Sequence, residues 1–177
     1  MTSCAALLKG VNVGGNRKLP MAQLTAVLEG LGFADVRTLL ASGNAVFTAD
    51  AEAAALEQEI ERALADAGLP THVLVRTRAE LDALIAANPF PEASRDRPSQ
   101  LLVMFLRAPL APDMLDRVTA LNDGPETFAL VDRALVIDHH GAMGQSKLPA
   151  AMARAKFPAA ATGRNWNTLR KLADALA

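Results

Sequence analysis

The period of the apolar residues switches along the chain between short runs and helical stripes, and the order of those switches limits the folds open to it. Ser3 to Leu8 is a short apolar run ending in a glycine-rich loop, which reads as a buried strand. Pro20 then sits where a first helical turn tolerates it. Met21, Leu24, Val27, Leu28 and Leu31 follow at helical spacing until Gly32. Val36 to Leu40 and Ala45 to Thr48 read as strands joined through Ser42-Gly43. Asp50 is placed to cap a helix with Leu56, Ile60 and Leu64 as its stripe, closed by Gly68 and Pro70, and His72 to Arg76 is a fourth strand. Strand, helix, strand, strand, helix, strand is the order of a ferredoxin-like split βαβ unit.

The rest of the chain repeats part of this order. Thr77-Arg78-Ala79-Glu80 has the spacing of a capping box for a helix carrying Leu81, Leu84 and Ile85. Residues 88–99 hold three prolines and no apolar period, so they read as a long surface loop. Leu101 to Leu106 is a strand, and Pro112 opens a helix with Leu115, Val118 and Leu121 on one face. Thr127 to Val131 and Leu135 to Asp138 form a hairpin turning at Asp132-Arg133. Ser146 is placed to cap a helix reaching about Lys156, and a last helix from Trp166 takes the place of a final strand. The expected fold is therefore α+β: a ferredoxin-like βαββαβ lobe over residues 1–77, then a related βαββα lobe over 78–177 that ends in helices. No residue-level repeat between the halves is visible.

Composition narrows the function classes. At 51% apolar and 21% charged residues, the chain can bury a core and keep a polar surface. No apolar run approaches the roughly 18–20 residues of a membrane helix. Met1-Thr2-Ser3-Cys4 lacks the pattern of a signal peptide, and a single cysteine excludes an internal disulfide framework. The expectation is a cytoplasmic protein with no membrane partner, Cys4 packing inside the first strand. The net charge of −1 is unevenly spread: residues 151–177 carry five bases against the single acid Asp174, while residues 51–100 carry five bases against nine acids. Basic chain ends that met in space would favour an anionic ligand; the same charges also serve as ordinary solvated surface.

Three polar segments stand out. The loop Lys9-Gly10-Val11-Asn12-Val13-Gly14-Gly15-Asn16-Arg17-Lys18 combines glycines, which let backbone N–H groups approach a ligand, with asparagines and three bases. It matches neither a dinucleotide fingerprint nor a Walker loop, so no cofactor is implied, and tight turns alone would also use its glycines. Ser146-Lys147 reads as a helix start beside a cation, and Arg164-Asn165-Trp166-Asn167-Thr168 places the only tryptophan among polar side chains, with Asn165 as a cap. His139-His140 beside Asp138 has no companion ligand at metal spacing and reads as a strand-end turn. Ser42 and Asn44 lie in the turn between two strands, and no base is paired with Ser42, so no catalytic residue is assigned.

Leu8 to Gly15, the Phe33–Phe47 segment with Ser42-Gly43-Asn44, Ser146-Lys147-Leu148 and Arg164 to Thr168 together resemble the bacterial domain-of-unknown-function family DUF1697. Lys9 stands where that family usually has arginine, Leu39 where tyrosine is common and Gly163 where a second threonine is usual. Lysine keeps the charge but loses the bidentate fork of a guanidinium. The resemblance implies a two-lobed α+β fold with a ferredoxin-like first half, and it groups the three polar segments; it supplies no reaction. The function expected is binding of a small anionic, phosphate-bearing or nucleotide-like ligand at a basic inter-lobe site. Its residues would be Lys9, Asn12, Gly14, Gly15, Arg17, Lys18, Ser42, Asn44, Ser146, Lys147, Arg164, Asn165, Trp166 and Asn167, with no metal. The alternatives are an enzyme acting on such an anion, with Arg164 or Lys147 stabilising charge, a protein-interaction module, and a nucleic-acid binder. The last is disfavoured by near-neutral charge and by Phe47 as the single obvious sheet aromatic.

Overall fold

A computed structural model describes residues 1–15, 17–141 and 143–177. Asn16 of the basic loop and Ala142 of the segment before Ser146 lie outside the described residues. The fold is mixed α+β, with two four-stranded antiparallel sheets and, among the described residues, seven α-helices. None of these helices is long and apolar enough to cross a membrane. The chain divides into two compact units, Met1–Ala83 with Arg170–Ala177, and Leu84–Leu169.

In the first unit, β1 (Thr2–Leu8), α1 (Met21–Gly30), β2 (Ala34–Thr38), β3 (Asn44–Ala49), α2 (Ala53–Asp66) and β4 (Val73–Thr77) follow in order, and the sheet runs β2-β3-β1-β4. Cys4, Ala6, Leu8, Phe47, Val73 and Val75 alternate onto one face of this sheet and join Leu24 and Leu28 of α1 and Leu56, Ile60 and Leu64 of α2 in one core. Phe33 stacks on Phe47 at 4.7 Å. Burial pushes the Cys4 thiol up, and the nearby Glu80 charge adds to the shift.

Strand β4 is an edge, and side chains take up its backbone donors. Glu61 and Glu57 of α2 accept the N–H groups of Val73 and Val75 at 2.8 and 2.9 Å. Glu80 of α3 (Arg78–Ala86) accepts that of Thr77 at 2.8 Å, and Glu80 N–H returns a bond to Thr77 Oγ1 at 3.3 Å. The capping box expected at Thr77–Glu80 is thus formed, and it also closes the end of the strand. Glu57 lies 3.7 Å from Arg76, both almost fully buried, and Arg76 Nη1 donates to the Val75 carbonyl at 2.8 Å.

The second unit holds α4 (Pro91–Asp96), β5 (Leu101–Leu106), α5 (Met114–Leu121), β6 (Thr127–Val131), β7 (Ala134–Asp138), α6 (Leu148–Arg154) and β8 (Ala161–Asn165), with sheet order β6-β7-β5-β8. The last helix, α7 (Trp166–Ala175), begins in this unit, and its residues from Arg170 belong to the first. Leu135, Ile137, Met114, Val118, Leu148 and Met152 centre the core between the sheet and helices α5 and α6.

Several expectations are corrected here. The final strand thought missing is present as β8, paired antiparallel with β5 over five residues. Ala161-Thr162-Gly163-Arg164-Asn165 shows no apolar alternation because its inward positions are polar or small; pairing with β5 makes it a strand. The second unit is therefore βαββαβ, not βαββα. The supposed loop at 88–99 contains α4, one short helix with Pro91 in its first turn and only Ala93 buried, too short to carry a period. Asp50 does not cap α2, whose N-cap position is Glu52 without a side-chain bond; Asp50 instead meets the N-terminal ammonium at 3.4 Å. The helix after Ser146 is shorter than expected, starting at Leu148 and ending at Arg154.

Candidate functional site

The loop after β1 is held open from inside. Val11 and Leu19 are buried in the first unit's core and anchor its two ends. Lys9 N–H donates to the His72 carbonyl at 2.9 Å, and Thr71 Oγ1 donates to the Lys9 carbonyl at 2.5 Å. Asn12 sits in the left-handed region at φ 55° and its amide ties the loop to itself: Nδ2 donates to the Leu19 carbonyl at 2.8 Å, and Oδ1 accepts the Leu19 N–H at 2.8 Å. The same Nδ2 reaches the Ala41 carbonyl at 2.6 Å and joins this loop to the β2–β3 turn. Asn12 therefore shapes the loop.

Gly14 and Gly15 have φ of 61° and 77°, and among the described residues a Cβ on either would meet nothing within 4 Å. Their glycine character answers a backbone conformation and leaves open space above it. Gly43 shares the left-handed backbone, at φ 81°, but is also closely packed: a Cβ there would lie 2.2 Å from Val11 Cγ2. Arg17, at φ 50°, and Lys18 are exposed, and among the described residues neither has an ion-pair partner. Lys18 borders a hollow of about 450 Å³ with Asn12, Gly15, Leu19, Pro20, Met21 and Ala41. Ser42 and Asn44 are structural: the fully buried Asn44 donates to the Leu39 carbonyl at 3.0 Å and to Ser42 Oγ at 2.9 Å, pinning the turn.

The other two segments lie in the second unit and are drawn into its framework. Ser146 Oγ donates to the Glu126 carboxylate and accepts the Leu148 N–H at 3.1 Å. Burial pushes the Glu126 carboxyl up, but hydrogen bonds from Ser146, its own backbone and Asn122 together bring it below the ordinary range. A charged carboxylate against Ser146 repels an anion there. Exposed Lys147 occupies the N-cap position of α6 without a capping bond. Arg164 is buried on β8, where Nη1 donates to Thr162 Oγ1 and to the Gly163 carbonyl, each at 2.8 Å; burial lowers its guanidinium to about 10. Asn165 Oδ1 accepts Thr168 N–H at 3.0 Å, which makes it the cap of α7. Trp166 is buried and Asn167 exposed.

Sequence reasoning missed a second polar cluster. Arg97 grips the buried Asp138 with two bonds, at 3.0 and 2.5 Å. The bond from Arg97 holds the Asp138 carboxyl below its usual range against the opposing effect of burial. His140, at φ 47°, turns its Nε2 to Thr127 Oγ1 at 2.8 Å. This places His140 in a strand-end turn, and His139 is buried with Nδ1 3.2 Å from the Gln100 carbonyl. Arg97 lies in a stretch without periodicity, so its pairing with Asp138 left no sequence signal.

A family model described as "Protein of unknown function (DUF1697)" matches residues 1–135. The chain belongs to that family. Among solved structures it is similar to a conserved bacterial protein, SP0830 from Streptococcus pneumoniae, at 23% identity and a TM-score of 0.78, with 99% of each chain covered. That likeness is one of fold. No curated protein matches the chain.

Proposed function

We propose that the chain binds a small anionic, phosphate-bearing or nucleotide-like ligand, and that the Lys9–Lys18 loop of the first unit is where it does so. The observation that carries the reading is the Asn12 amide, whose three bonds tie Asn12 to Leu19 and Ala41 while Gly14, Gly15, Arg17 and Lys18 are exposed among the described residues. Backbone tied in place before binding loses little entropy on binding, and backbone N–H groups beside bases suit phosphate or carboxylate. Ser146 fits the reading less well because it faces Glu126, and Arg164 contributes as a buried framework residue. A nucleic-acid surface is disfavoured further because Phe47 is 2% exposed and belongs to the helix-side core.

We also read each four-stranded sheet with its two helices as a ferredoxin-like lobe. The support is that β2-β3-β1-β4 and β6-β7-β5-β8 are the same order over the same βαββαβ sequence of elements. The single cysteine fits a reducing compartment and so favours a cytoplasmic address for the protein.

The test is isothermal titration with inorganic phosphate, pyrophosphate and a nucleoside diphosphate. Wild type should bind at least one of them, and the Arg17→Ala/Lys18→Ala double variant about tenfold or more weaker, in line with the loss of one or two charge-assisted bonds. Equal affinity in wild type and double variant, or no heat with any of the three ligands, refutes the assignment.

A further inference from the structure

Four strand edges bound the two sheets, and three of them are visibly guarded. On β4 the donors of Val73, Val75 and Thr77 are taken by glutamates. On β2 the register slips between Ala34 and Arg37, Asp35 sits at φ 53°, and both Asp35 and Arg37 bring charge to the edge. On β8 the Arg164 guanidinium covers the Gly163 carbonyl. Strand β6 has none of these devices. Its residues Thr127-Phe128-Ala129-Leu130-Val131 pair with β7 in unbroken register and include no charge, glycine or proline. Thr127 is exposed, and Leu130, at 41%, is one of four large apolar side chains exposed among the described residues.

We propose that β6 is the contact strand of a homodimer and pairs antiparallel with β6 of a second copy of this chain. The register follows from the hairpin. Two residues, Asp132 and Arg133, separate the paired Val131 and Ala134, so Val131 and Ala134 exchange hydrogen bonds across the hairpin. Alternation then turns the backbone groups of Thr127 and Ala129 towards β7 and those of Phe128 and Leu130 outward. The antiparallel register that joins outward groups to outward groups and overlaps all five residues is centred on Ala129. It sets Phe128 opposite Leu130 of the partner subunit, twice by symmetry, and Thr127 opposite Val131 of the partner subunit.

Each of these pairs is favourable by its chemistry. Phe128 and Leu130 lie on the face that carries the helices, where Phe128 already packs on the core, so an aromatic–aliphatic pair there covers the exposed Leu130. Thr127 and Val131 are both β-branched, and the small Ala129 at the two-fold axis lets the strands approach. No charge lies within the paired segment. At its flanks Glu126 is 8% exposed and turned inward to Ser146 and Asn122, which keeps its carboxylate away from Asp132 of the partner subunit. The β6-β7-β5-β8 sheets of the two copies would join into one of eight strands.

Sedimentation velocity on the full chain over a wide concentration range reads the dimer directly. Ala129→Cys tests the register, because a non-hydrogen-bonded pair on the two-fold axis holds its Cα atoms about 4.5 Å apart, within disulfide reach. The one natural thiol, Cys4, is 1% exposed and does not compete. Wild type should dimerise, oxidised Ala129→Cys should run as a covalent dimer on a non-reducing gel, and Leu130→Lys, at an already exposed position, should weaken the dimer at least tenfold with an unchanged circular-dichroism spectrum. A monomeric wild type overturns the proposal, whether or not the cysteine variant cross-links. A dimer that neither cross-links through Cys at 129 nor responds to Leu130→Lys uses another surface and overturns it equally.

Discussion

In the first unit β4 ends Val75-Arg76-Thr77 and passes straight into α3; in the second, β8 ends Gly163-Arg164-Asn165 and passes straight into α7. Arg76 faces Ala5 of β1 and Arg164 faces Val103 of β5, so the two junctions hold the same register position. Each arginine donates Nη1 to the carbonyl of the residue before it, at 2.8 Å in both units. Thr77 and Asn165, the residues after them, each accept a backbone N–H three residues on and cap the next helix. The difference lies in what surrounds the arginine. Helix α2 supplies Glu57 to Arg76, whereas α6, Leu-Pro-Ala-Ala-Met-Ala-Arg, contains no acid to play that part for Arg164. The strand pairing and the cap are alike in the two units, with an acid on α2 and none on α6.

The comparison breaks most readily at Glu57. Glu57→Ala removes the carboxylate beside a buried guanidinium and the acceptor of Val75 N–H, and we expect a loss of about 3–5 kcal/mol in urea unfolding. A loss below about 1 kcal/mol would mean that the first unit does not need the Glu57 carboxylate at this junction. Arg164→Met should cost less, about 1–2 kcal/mol by the same measurement, since removing a cation already disfavoured by burial offsets part of the lost bonding. A larger loss at Arg164 than at Glu57 would reverse the ranking of the two junctions.

The caps should behave alike. Thr77→Ala and Asn165→Ala are each expected to cost about 1 kcal/mol, and a clear inequality would show that one helix start depends on more than its cap. The smallest effect concerns acid. Asp138 stands at the register position that Thr48 occupies in the first unit, and its folded pKa is depressed by Arg97. A depressed carboxylate contributes stability that is present above its unfolded pKa of about 3.9 and is lost as pH falls through the lower folded value. The difference in melting temperature between wild type and Asp138→Asn should therefore be widest near neutral pH and narrow below about pH 4. A gap that does not change with pH would remove this distinction between the units.

How far these features were legible depended on the range of the interactions behind them. The Thr77–Glu80 capping box, the Asn165 cap, the α2 stripe and the limits of β5 and β6 are visible in the sequence because their partners lie within one or two helical turns or on one face. Strand β8 and helix α4 left no periodic trace, the first because Thr162 and Arg164 point inward, the second because six residues hold too little of a helical period. The correspondence between Arg76 and Arg164 was hidden for a similar reason: it is a match of register, with almost no sequence identity around it. In the loop, residue types alone left Asn12 as a candidate ligand, and only its distances to Leu19 and Ala41 make it the loop's tie.

By itself the sequence determined the class of fold, most of the elements and their order, because apolar periodicity and helix caps act over a few residues and must agree with the local backbone. The tertiary structure decided which polar groups are partnered. Glu57 and Glu61 on the edge of β4, Arg97 on Asp138, and Ser146 on Glu126 are joined across 12 to 41 residues of chain. Once a polar side chain is buried its partner is set by where the sheets and helices bring the backbone, and no spacing in the sequence encodes that position.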